Sequence, residues 1–199
     1  MPIDVQTLRN AVAAIAGKLE VEHAGLTELD GKMGDGDLGL TLLKAFRAMQ
    51  EVSPALPADL GQALFQLGSA TTKVSSSSFG TLLATAMLAV AKTLKGRQTA
   101  EWTELSGLLT IAREAMQARG KAELGDKTVL DALQASETSI SGLDDPAAQL
   151  AAARQAVRVS LEEFKQRPNR IGRARVYGDK SIGLDDPGMV AFSVMLSAL

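Results

Sequence analysis

Apolar residues recur at helix-face spacing along most of this chain, and that periodicity constrains the fold more than any other feature. Leu8, Val12, Ile15 and Leu19 fall on one side of a helix, and Leu60, Leu64 and Leu67 repeat the pattern. Leu83, Met87 and Val90 continue it, followed by Leu105, Leu109 and Met116. Near the C-terminus Leu150, Ala153, Val157, Leu161 and Phe164 mark one face of a long segment. Sustained alternating runs rich in Val, Ile, Thr and aromatic residues, the signature of half-buried strands, are missing. With a single Trp and a single Tyr, the helix–helix core must be aliphatic, built from Ala and Leu. The reading is an all-α protein.

Breakers sit between the periodic segments. PALPAD (54–59) separates two helices, with Pro57 suited to the first turn of the second. KGRQTAEW (95–102) makes another joint, with Thr99 as its N-cap, and SGLDDPAA (141–148) offers Asp145 before Pro146 as a helix start. No linker divides the 199 residues, so they are read as a single domain, 1–199. A formal net charge of -2 gives no global basic field, which argues against nucleic acid as a partner. With no cysteine, disulfides, thiolate metal sites and a cysteine nucleophile are excluded. No apolar run approaches the roughly 20 residues needed to span a bilayer, and MPIDVQTLRN lacks the order of a signal peptide. A cytoplasmic protein without membrane contact is expected.

Three stretches are denser in Gly and Asp than a turn requires: LDGKMGDGDLG (29–39), GKAELGDKT (120–128) and the tract from Gly172 to Gly188. In the first, Asp30, Asp35 and Asp37 crowd into one short loop. Carboxylates held this close repel one another unless a cation sits among them. The intervening glycines let the backbone turn tightly enough for them to converge. Oxygen donors without His or Cys favour Mg²⁺ or Ca²⁺ over zinc or copper, whereas the plainer alternative is a surface turn. Gly34, Gly36 and Gly39 make a literal G-x-G-x-x-G, but no strand precedes them and two aspartates inside would repel a bare pyrophosphate. An EF-hand fails too, because the twelfth position from Asp30 is Thr41 instead of Glu. No P-loop motif occurs.

With these residues in hand, LDGKMGDGDLG resembles the acidic loop of the dihydroxyacetone kinase L subunit, also found as the C-terminal nucleotide domain of one-chain dihydroxyacetone kinases. GKAELGDKTVLDAL and GRARVYGDKSIGLDDPG are similar to two further segments of that family, in the same order. The resemblance spans Leu29 to Gly188. It implies an up-and-down barrel of about eight antiparallel amphipathic helices with nucleotide and Mg²⁺ loops at one end. It also implies that Asp30, Asp35 and Asp37 are metal ligands for Mg²⁺, roughly two ions per nucleotide, bridging to the phosphates of ADP or ATP. Charge balance agrees, since three carboxylates and an ADP of roughly three negative charges cannot share a site without divalent cations.

By the same resemblance, Leu38, Gly39, Leu40 and Thr41 open a helix whose amides meet phosphate oxygens. Ser77, Ser78, Gly80 and Thr81 occupy the family's small-residue stretch before another helix; an ordinary N-cap is the plainer reading of SSSSFG. Gly120 and Val129 fall where the family packs the adenosine, and Arg173 on its phosphate-contacting arginine. Asp186, Pro187 and Gly188 match its D-P-G turn near the nucleotide. The family's acidic loop often reads G-D-A-D-H-G; here Leu38 stands for the histidine, and SSFGT replaces a G-G-x-S-G stretch.

The lone histidine, His23, precedes the acidic loop in the first helical segment and reads as an ordinary helix residue. Trp102 reads as a helix-start residue and Met116 as core. Lys121 and Lys127 flank a phosphate loop if the resemblance holds, and are otherwise solvated charges. Asp126 and Glu137 show no paired-carboxylate logic. The expected function is the ADP- or ATP-binding subunit of a dihydroxyacetone or other short-chain ketose kinase, a phosphotransferase. It would act on a hydroxyketone held by a separate substrate-binding subunit and carry no catalytic residue of its own. A phosphocarrier protein that rephosphorylates bound ADP is the expected donor, slightly ahead of exchange with ATP; a homodimer is left open. Rival readings are a non-catalytic nucleotide-binding regulatory module and the nucleotide domain of a fatty-acid-kinase-like system.

Overall fold

The computed structural model describes residues 1–75 and 77–199. Among them are eight α-helices: α1 (Val5–Gly31), α2 (Leu38–Val52), α3 (Leu60–Val74), α4 (Ser78–Thr93), α5 (Leu105–Gly120), α6 (Val129–Ile140), α7 (Pro146–Lys165) and α8 (Pro187–Ser197). Each packs on the next, and α8 closes the ring against α1 while also touching α6. Short connections oblige most successive helices to run antiparallel, whereas the long stretch 166–186 joins α7 to α8. The described residues form no strand; Ile3 and Ala100 make one isolated bridge that ties the N-terminal residues to the α4–α5 joint. Among the described residues no helix is long and apolar enough to cross a membrane.

Caps fix where the helices begin. Asp4 and Thr7 form a capping box on α1, and Thr128 and Asp131 form one on α6. Asp59, Ser77, Asp145 and Asp186 each accept a first-turn N–H of α3, α4, α7 and α8. Asp145–Pro146 therefore starts a helix as expected. Two details differ from expectation. Pro57 lies outside α3, because Asp59 supplies the cap and starts the helix at Leu60. Thr99 caps nothing: Glu101 and Glu104 form a capping box on the short 3₁₀ turn Trp102–Glu104, which leads into α5.

The main core joins Val12, Leu19 and Leu26 of α1 to Leu42, Phe46 and Met49 of α2, and to Ala63 and Leu67 of α3. Ala191 and Met195 of α8 complete it. Met189 of α8 packs with Val157 of α7 in a separate cluster, and Phe192 bridges both. A helix gripped on several sides needs no polar face, and PGMVAFSVMLS has none. Gly39 lets α2 lie close against α1: a Cβ there would come 1.9 Å from the His23 carbonyl oxygen. His23 itself hydrogen-bonds through Nδ1 to the carbonyls of Leu19 and Glu20, as an ordinary helix residue does.

Candidate functional site

The three Gly- and Asp-rich stretches meet around one cleft of about 860 Å³. The acidic loop between α1 and α2 lies at one side of it. Asp30 ends α1, Asp35 sits in the turn, and Asp37 immediately precedes α2. One carboxylate oxygen from each lies within 4.8 Å of the others, the one such convergence of potential metal ligands among the described residues. The glycines make this possible in specific ways. Gly36 takes a φ of 70°, and a Cβ on Gly34 would fall 2.1 Å from Asp30 Oδ1.

Asp30 holds the loop together as well as contributing a carboxylate. Its Oδ2 accepts the N–H of Asp37 at 3.0 Å and of Leu38 at 3.2 Å, so it caps α2 from across the turn. The side chain of Asp37, at the usual capping position, makes no cap bond and is left for other work. Partial burial, then the charges of Asp35 and Asp30, push the Asp37 carboxyl above its ordinary value, with Arg173 acting against them. Arg173 forms an ion pair with Asp35, joining the third stretch to the first. Both partners are well exposed, so the pair orients more than it stabilises. These oxygen donors, crowded and only partly neutralised, suit a hard divalent cation.

The opposite wall is apolar. Met116 and Gly120 of α5, Ala122 after it, and Val129 and Leu130 of α6 line that wall, with Leu82 of α4 facing them. Gly120 and Val129, expected at an adenosine site, stand here. Ser77, Ser78 and Thr81 also line the cleft, and Ser77 is in fact the N-cap of α4, its Oγ accepting the Gly80 N–H at 3.1 Å. Gly80 lies outside the lining. Leu38 is on the cleft wall and buried, whereas Gly39, Leu40 and Thr41 are not part of it. The Thr41 N–H is spent on the Asp37 carbonyl at 2.8 Å, and the Leu40 side chain is exposed.

Arg173, Asp186, Pro187 and Gly188 all line the cleft. Asp186 caps α8 by accepting the Met189 N–H at 2.9 Å, and Asn169 donates to its other oxygen at 2.9 Å. Burial pushes its carboxyl up to about 6, against the pull of those hydrogen bonds and of Lys127.

Sequence reasoning missed two arginines of the lining, Arg119 and Arg175. Each is a neighbour or near neighbour of a singled-out residue, Gly120 or Arg173, and that adjacency was the available signal. Lys127 is completely buried, so the alternative reading of it as a solvated charge is wrong. Lys121, by contrast, is exposed at the left-handed C-cap of α5. Met116 is buried and Trp102 opens a turn, donating its Nε1–H to the Met1 carbonyl. Glu137 pairs with Arg113 inside the α5–α6 contact, and Asp126 accepts the Glu123 N–H, so neither serves the cleft.

Comparison with known proteins shows the family of the chain. The family model described as "DAK2 domain" matches residues 32–199. The Escherichia coli "PEP-dependent dihydroxyacetone kinase, ADP-binding subunit DhaL" is 31% identical over 184 residues, covering 89% of this chain and 87% of that protein. The Lactococcus lactis "PTS-dependent dihydroxyacetone kinase, ADP-binding subunit DhaL" is 32% identical over 187 residues, 92% of this chain and 89% of the relative. The solved dihydroxyacetone kinase of C. freundii in complex with AMP-PNP and Mg²⁺ superimposes with a TM-score of 0.77 at 26% identity. That match covers 100% of this chain but 34% of the kinase, so the chain spans about a third of the one-chain enzyme. On the extent of these matches, the chain belongs to the DAK2 domain family, the family of the dihydroxyacetone kinase L subunits.

Proposed function

We propose that this chain is the nucleotide-binding subunit of a short-chain ketose kinase, with residues 1–199 acting as one nucleotide-binding domain. The observation that carries the reading is the convergence of Asp30, Asp35 and Asp37 at the side of a cleft whose opposite wall is apolar. Mg²⁺ held by these carboxylates would neutralise the charge between them and the phosphates of ADP or ATP and fix the phosphate oxygens, with roughly two ions expected.

The chain's own residues bind and orient. Asp30 keeps the acidic loop closed on the start of α2 by accepting the Asp37 and Leu38 N–H groups, at a helix N-terminus that suits an anion. Arg173 brings a guanidinium to the same place, suited to a phosphate in bidentate fashion, with Arg175 and Arg119 on the rim. Ser77, Ser78 and Thr81 offer hydroxyls along the cleft, and Met116, Gly120, Val129 and Leu130 offer an apolar seat for the adenosine. None of these groups activates a hydroxyl nucleophile. The hydroxyketone is therefore presented by a separate subunit, and phosphoryl transfer occurs where the two meet. The bacterial relatives named as PEP- or PTS-dependent favour a phosphocarrier protein as the donor that recharges bound ADP, and a cytoplasmic setting follows from that chemistry.

The test is a transfer assay with dihydroxyacetone or a four-carbon ketose and Mg²⁺, run in separate arms with ATP and with a phosphocarrier protein as donor. The chain alone is expected to give no phosphorylated sugar, and the chain with its substrate-binding subunit to give it. Turnover by the isolated chain would overturn the two-subunit reading.

A further inference from the structure

Lys127 stands in a position that a lysine should avoid. Its φ is 64°, in the left-handed region that glycine favours, and its side chain is 0% exposed. Burying an ammonium costs heavily unless its protons are taken up, and here main-chain oxygens take them. Nζ donates to the carbonyls of Arg167 and Ser181, each at 2.9 Å. Burial draws the ammonium's pKa down while the charges of Asp186 and Asp185 hold it up.

The two carbonyls lie at either end of the stretch that crosses the cleft. Arg173 is on that stretch, between them in sequence, and reaches Asp35 from it. Other bonds tighten the same two ends. Asn169 donates from its side chain to the Lys127 carbonyl at 3.0 Å and to Asp186 at 2.9 Å. Ser181 Oγ accepts the Asn169 N–H at 2.9 Å and donates to the Gly178 carbonyl at 2.6 Å. Between these anchors, Gly172, Arg173, Arg175, Val176 and Tyr177 are exposed. The segment is thus clasped at its base and exposed along most of its span apart from the buried Ala174, with Arg173 at the cleft.

We propose that Lys127 is a positioning residue: by bonding the carbonyls of Arg167 and Ser181 it sets the span that presents Arg173 to the anionic end of the cleft. It lies outside the cleft lining, and these bonds give a physical reason for a lysine where the backbone favours glycine. The inference rests on the nucleotide reading of the cleft.

The experiment is a double-mutant cycle read by Mg²⁺·ADP affinity, with thermal melts as the control for folding. Lys127→Met removes both clasp bonds, and Lys127→Gln, which keeps amide donors on a shorter side chain, carries the test if the first variant fails to fold. Each is expected to weaken Mg²⁺·ADP binding about tenfold when Arg173 is present, the size of one charge-assisted contact misplaced. Neither should weaken binding further in an Arg173→Ala background. Equal losses in both backgrounds, or full affinity in folded Lys127→Met, would overturn the proposal. If the unaltered chain binds no Mg²⁺·ADP, the nucleotide reading itself falls, and the role of Lys127 in it falls too.

Discussion

Two glycines one short helix turn apart separate the demands of the acidic loop from those of a helix end. Gly34 has no room for a Cβ beside Asp30, whereas a Cβ on Gly31 would meet nothing within 4 Å. Gly34→Ala should therefore push the Asp30 carboxylate aside and weaken Mg²⁺·nucleotide binding more than about tenfold, and Gly31→Ala should leave it unchanged; parallel titrations of the two variants check this. Asp186 gives a pH signature. Its carboxyl, raised from 3.8 to about 6, holds its proton more tightly folded than unfolded. Its contribution to stability is complete below the unfolded value and is lost as pH rises through about 6. Denaturant unfolding of the nucleotide-free chain across that window should show stability falling with pH at this site, and Asp186→Asn should flatten the slope. The acidic triplet was legible from the sequence because three carboxylates so close in the chain have few ways to avoid one another. Lys127 was not legible, since a lysine in a Gly- and Asp-rich loop looks the same whether solvated or buried; only the fold reveals the carbonyls around it.

At the scale of elements, the amphipathic helices announced themselves and the others did not. α1, α3 and α7 each bury one face, so their period survives in the sequence. α8 is apolar all round apart from Ser193 and Ser197 and shows no clear period. α6 keeps an apolar face but buries Asp131, Ser136 and Glu137 beside its leucines. Asp131 is used as a cap, accepting the Gly125 and Thr128 N–H groups. Glu137 joins Arg113 of α5, at 3.0 Å with both side chains 11% exposed. Such a pair is costly to break from one side only. Glu137→Ala is expected to destabilise the chain by about 3–5 kcal/mol, and the double change Arg113→Met with Glu137→Leu to recover most of the loss. Urea unfolding of the three proteins measures both, and neither change should alter nucleotide affinity, because the pair lies away from the cleft.

For the whole molecule, the ring of helices gathers at one end three stretches that lie far apart in the chain, and that gathering is what makes a site of them. The order of the stretches carried the family resemblance, but their meeting point, the two rim arginines and the clasp behind Arg173 come only from the folded chain. If bound ADP is recharged in place, its release should be slow compared with turnover in the complete kinase; ADP leaving as fast as turnover would point to exchange with ATP instead. Mg²⁺-dependent nucleotide binding by the three aspartates remains the claim on which the rest depends. Calorimetric titration of the purified chain with ADP, in Mg²⁺ and then in EDTA, alongside Asp35→Asn, tests it most directly. Binding in Mg²⁺ that disappears in EDTA and in the folded variant is the predicted result. Equal binding in EDTA, or none by the folded chain in Mg²⁺, would contradict it.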